Sequence, residues 1–144
     1  MKTTAILELM VKDHAKIIRL LDTVQKTVGQ DALTLMKTFD TFEWELEKHI
    51  FTEEKAIFSA YNPENITTGY RMVPELIKEH NKILNTLEVM KKELLRQKRC
   101  DFEEFTEMLM NHKTFEEKQL YPKLDQELSI QQKNLIISRI KEIV

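Results

Sequence analysis

The 144 residues carry 22 Lys and Arg against 24 Asp and Glu, a net charge of −2, with only 2 Gly and 3 Pro. That balance gives no electrostatic reason to expect a nucleic-acid partner, and 42% hydrophobic residues with so few helix breakers predict a helical chain able to bury one core. No apolar run approaches the roughly 20 residues of a membrane span, and no signal-peptide pattern follows Met1. The single cysteine, Cys100, admits no internal disulfide and fits a cytoplasmic setting.

The expected elements follow from apolar periodicity. A first helix over about 4–28 carries Ile6, Leu9, Met10, Ile17, Leu20, Leu21, Val24 and Val28 on one stripe, with His14 inside it. Gly29 suits the residue after a helix end, and Asp31 suits the cap of the next helix, about 32–60. Asn-Pro, two Thr and Gly make 61–69 the longest loop. Pro74 fits the first turn of a third helix reaching about 97, whose stripe holds His80. Its basic end, with Lys91, Lys92, Arg96, Lys98 and Arg99, reads as a solvated face. Asp101 and Glu104 resemble a capping box opening helix four, which Pro122 interrupts or ends. Ser129 and Gln132 open a terminal helix over about 129–143, rich in isoleucine, expected to pack on the bundle or to serve as a dimer or partner contact.

The chain repeats itself. Asp13-His14-Ala15-Lys16-Ile17 returns as Glu79-His80-Asn81-Lys82-Ile83, and His49-x3-Glu53-Glu54-Lys55 returns as His112-x3-Glu116-Glu117-Lys118. Each half reads as one helical hairpin, over about 4–60 and 70–121, and together they predict an all-α, up-down-up-down four-helix bundle with a short C-terminal helix in a single domain, 1–144. Residues four apart lie about 40° apart on a helix, so Glu53 shares a face with His49 and Glu116 with His112. Those faces are otherwise apolar, and buried imidazoles and carboxylates need a partner. His14 and His49 fall at a common depth in antiparallel helices, as do His80 and His112. His14, His49, Glu53, His80, His112 and Glu116 therefore form a candidate metal set of nitrogen and oxygen donors suited to iron, manganese or zinc. A carboxylate can bridge, so two ions with two histidines each is the economical arrangement. Glu54 and Glu117, about 140° from the histidine, are expected to face solvent or a neighbouring helix, and Glu45 is expected at the boundary. Trp44, Phe51 and Phe58 read as packing or interface residues, and the hydroxyls of Tyr61 and Tyr121 as weaker candidates for the site.

These motifs, with Leu120-Tyr121-Pro122 after the second His-x3-Glu, resemble the hemerythrin-like (HHE cation-binding) family over about residues 4–127. The resemblance implies two non-haem iron ions joined as Fe–O–Fe, held by the six residues above, and a small diatomic or peroxide ligand: dioxygen, peroxide or nitric oxide. It also leaves open an oxygen or iron sensor or store without turnover, and a structural bundle with a vestigial site. Oxygen carriers of the family have a fifth histidine one turn after that of the third helix; here Leu84 stands there. The set is similar to that of di-iron proteins linked to nitrosative stress and iron–sulfur repair, without their cysteine-bearing N-terminal domain or their additional histidine. No membrane and no nucleic acid are expected as partners.

Overall fold

The computed structural model describes residues 5–58, 68–96 and 102–143. Most of the loop from Tyr61, with the Tyr61 hydroxyl, and Cys100 and the capping expected of Asp101 lie outside these residues. Helix α1 spans Ala5–Thr27, α2 Ala32–Thr52, α3 Thr68–Leu95, α4 Phe102–Phe115, α5 Tyr121–Glu127 and α6 Ile130–Ile143. Among the described residues there is no strand, and no helix is long and apolar enough to cross a membrane. The chain is an all-α bundle.

Local sequence explains the breaks. Gly29 takes φ 95, the left-handed geometry that ends α1. Asp31 caps α2 by accepting the Thr34 N–H at 2.9 Å. At the head of α6 Ser129 Oγ accepts the Gln132 N–H at 3.1 Å and Gln132 Oε1 accepts the Ser129 N–H at 3.0 Å, a capping box. Two expectations need correction. Val28 lies beyond the last turn of α1 and is 46% exposed rather than in the stripe. Pro74 is inside α3, not in its first turn, because the helix starts at Thr68. Pro74 faces solvent, where water can serve the carbonyl that lacks its amide donor.

Each of the four long helices packs on the next, and α4 and α5 close the ring against α1. Antiparallel order shows in the core: Val24 clusters with Leu35 and Phe39 at one end, and Ile6 and Met10 with Ile57 and Phe58 at the other. The first cluster also takes Leu87, Phe105 and Leu109, and the second takes Leu76, Tyr121, Leu124 and Ile136. Burying such side chains contributes about 1.5–3 kcal/mol each. Helix α6 covers the second cluster, resting on α1 and on the end of α2 through Ile136 and Ile140. A buried Lys133–Asp125 pair at 3.5 Å, with Asp125 also accepting the Leu7 N–H at 3.3 Å, ties α6 and α5 to the start of α1. Between the two apolar clusters lies a layer of histidines and glutamates.

Candidate metal centre

Neither α2 nor α4 continues as a regular helix past its His-x3-Glu motif. Each opens into a π turn, Glu53–Ile57 and Glu116–Leu120, where the Phe58 N–H reaches back to the Glu53 carbonyl and the Tyr121 N–H to that of Glu116. Both turns begin on the glutamate of a His-x3-Glu. Pro122 has no N–H to continue the regular ladder, which suits the second turn. The consequence is a change of face: a residue five past the glutamate, expected well to one side, now points inward. Phe58 and Tyr121 are therefore site residues.

Four imidazoles and two carboxylates meet in the layer. Nε2 of His14 lies 3.0 Å from Nε2 of His49, and 3.3 Å from Glu116 Oε1. His49 Nε2 lies 2.7 Å from Glu53 Oε1, and His112 Nε2 3.2 Å from Glu116 Oε1. His80 Nε2 sits 3.5 Å from Glu53 Oε1 and 4.0 Å from Glu116 Oε2. The donors sort into two quartets, His14-His49-Glu53-Glu116 and Glu53-His80-His112-Glu116, each with its atoms within 4.8 Å of one another. The glutamates belong to both. All six residues are buried, and seven of their donor atoms lack a hydrogen-bond partner: Glu53 Oε1, both ring nitrogens of His80 and of His112, and both oxygens of Glu116. Groups this costly to bury alone fit a metal ion, which would satisfy the inward-facing atoms together.

Without one, the charges are unevenly held. Burial opposes the charge of Glu53, but the neighbouring His49 and hydrogen bonds keep its carboxyl well below the usual range. Burial and the Glu53 charge push Glu116 well above it. Burial also opposes charge on His49, yet Glu53 and Asp13 outweigh it and raise this imidazole to about 9. Burial lowers His112 to about 4.

Outside the histidines stands a second set of carboxylates. Asp13 of α1 hydrogen-bonds Nδ1 of His49 on α2. Glu54, from the π turn after α2, lies 3.7 Å from Nδ1 of His80 on α3, and Glu79 of α3 lies 3.4 Å from Nδ1 of His112 on α4. Glu117, from the turn after α4, lies 2.7 Å from Nδ1 of His14 on α1. The four carboxylates thus follow one another around the layer, but only Asp13 and Glu117 hydrogen-bond their histidines, while Glu54 and Glu79 stand near theirs without a bond. Where that bond forms, at His49 and His14, the carboxylate at Nδ1 orients the ring and leaves Nε2 facing inward. The repeat contained these acids, but their direction across to another helix is a tertiary property.

Other candidates fall out. Glu45 is taken by Lys16 at 2.8 Å and Lys48 at 3.2 Å. Trp44 and Phe51 are exposed, whereas Phe58 is buried and stacks on His80 with centroids 5.7 Å apart. Tyr121, fully buried, donates its hydroxyl to Glu53 Oε2 at 2.9 Å and lies 5.8 Å from the ring of His14. Leu84 is half-buried against the first core cluster. On that side of the layer the four imidazoles face a cavity of about 20 Å³ closed by Ile17, Leu46, Ile50, Ile83 and Leu109. Such a space admits little more than a water-sized molecule. The two glutamates and the phenol are not part of its wall.

A helical bundle with a buried, paired set of His and Glu donors defines a metal-binding protein of the carboxylate-and-histidine kind. Residues 5–124 match the hemerythrin HHE cation-binding domain, and the chain belongs to that family. No curated protein and no solved structure matches it significantly.

Proposed function

We propose that the protein is a hemerythrin-like di-iron protein that binds or reacts with dioxygen, peroxide or nitric oxide in the cytoplasm. His14 and His49 would hold one ion and His80 and His112 the other, with Glu53 and Glu116 shared. The observation that carries this reading is the pair of quartets sharing two carboxylates beside a cavity of about 20 Å³. An iron pair supplies redox capacity and open positions for a small ligand. The protein's own part is selection and protection. The isoleucines and leucines of the cavity exclude anything larger than a few atoms, Asp13 and Glu117 keep His49 and His14 oriented, and Tyr121 donates to Glu53 from the opposite side.

The test is metal content with the visible spectrum, on protein loaded anaerobically with ferrous iron and then exposed to air. Two irons per chain and an oxo-bridged ferric spectrum are expected; zinc alone, or a colourless protein, would sink the reading. Glu53→Ala or Glu116→Ala should cost one equivalent or both, and two full equivalents retained in either would refute the sharing.

A sensor without turnover is the second reading, and one contact favours it: α6 rests on the π turn that begins with Glu53. It predicts that nitric oxide or dioxygen changes hydrogen exchange in α6 of the iron-loaded protein while no product accumulates.

A further inference from the structure

All four histidines of the centre are buried, so a metal ion must cross the bundle wall to reach them. Two surface pockets, each of about 360 Å³, adjoin the outer carboxylates of the two hairpins. They are opposite in charge. The pocket over Asp13 is rimmed by Lys12, Lys141 and Lys16, the last already paired with Glu45, and its one acid is bonded to His49. The pocket between α3 and α4 is lined by Glu79, Glu104 and Glu107, with Asn111 and a single ammonium, Lys82. Its inner wall includes His112, whose side chain is 6% exposed and whose two ring nitrogens have no hydrogen-bond partner.

We propose that the pocket between α3 and α4 is the port through which a divalent cation is taken up; this rests on the metal-centre reading above. Three carboxylates around one concave opening concentrate cations and speed their capture, an effect that weakens as salt rises. Oxygen donors at the mouth can replace part of the hydration shell before the ion meets nitrogen. Glu79 then spans the wall: its side chain is 46% exposed, yet a carboxylate oxygen lies 3.4 Å from Nδ1 of His112. The basic pocket on the other hairpin repels the same ion. The bundle thus has one side by which a cation is drawn in and one from which it is turned away.

Cobalt(II) is a suitable probe, because its visible absorption changes on moving from water to imidazole and carboxylate ligands. Mixed with the metal-free full chain at low salt, the double variant Glu104→Gln/Glu107→Gln should take up cobalt about tenfold more slowly than the unaltered chain. The final amount bound should be equal, and the difference should shrink at high salt. Lys12→Gln/Lys141→Gln should not slow uptake. Asp22→Asn/Glu127→Gln removes the same charge from exposed sites elsewhere and should leave the rate nearly unchanged. Equal rates for the Glu104/Glu107 variant and the unaltered chain would overturn the port, as would an equal slowing by the Asp22/Glu127 variant. No cobalt bound by the unaltered chain would overturn the metal centre itself, a distinct result.

Discussion

The two hairpins carry the same motif, yet they do not build the same half-site. In the first, Asp13 and Glu117 hold His49 and His14 by close hydrogen bonds, and the phenol of Tyr121 lies near the His14 ring while donating to Glu53. In the second, Glu79 and Glu54 stand back at 3.4 and 3.7 Å, and the aromatic beside His80 is Phe58, which has no hydroxyl. Phe58 and Tyr121 occupy equivalent places after the two π turns. A repeat therefore duplicates the scaffold while single positions, Asp for Glu and Tyr for Phe, set the two halves to different tightness and polarity.

The sharpest way to break this comparison is to titrate the metal-free protein. His49 stays charged up to about 9, so its contribution to stability is complete below 6.5 and lost as pH rises through 9. His112 is held neutral down to about 4, so stability falls as pH drops from 6.5 towards 4, where the unfolded imidazole takes a proton that the native one refuses. Each limb should amount to about 3 kcal/mol. In urea unfolding across pH, His49→Gln should flatten the alkaline limb and His112→Gln the acid limb. Either variant flattening both would mean the halves are electrostatically one.

A smaller contrast is expected in the outer carboxylates. Asp13→Asn should weaken zinc binding about 10- to 100-fold. Glu79→Gln, removing a looser partner, should cost only a few-fold in the same chelator competition. Equal losses would say that the two distances carry no functional difference. The smallest effects should come from the aromatic pair. Tyr121→Phe strips Glu53 of a buried donor, at about 1–3 kcal/mol. Phe58→Leu gives up a stacked ring, at about 0.5–1.5 kcal/mol beyond its lost area. Denaturant unfolding of both variants would rank them, and the reverse order would overturn the assignment of the polar contact to the Tyr121 side.

What the sequence made legible, and what it hid, has a common physical basis. His49 with Glu53 and His112 with Glu116 are pairs within regular helix, where spacing translates directly into direction. The common depth of His14 and His49 followed from counting turns. Phe58 packs, as expected, but its place against His80 and the reach of Tyr121 to Glu53 were hidden because both lie beyond a π turn, and one residue of extra winding leaves almost no mark in composition; Pro122 was the available sign. Glu54, Glu79 and Glu117 stood in the motif, but which histidine each would meet depends on how neighbouring helices pack. The two charged pockets likewise join residues from separate helices, as Lys12 with Lys141 and Glu79 with Glu107.

The ring of carboxylates has a mechanical corollary. Asp13 fastens α1 to the His49 of α2, and Glu117 fastens the turn after α4 to the His14 of α1, whereas Glu54 and Glu79 stand 3.7 and 3.4 Å from His80 and His112 without a hydrogen bond. The layer is thus clasped around α1 and slack around α3. A small disturbance should be taken up first where α3 meets its neighbours, with the clasped side giving way last.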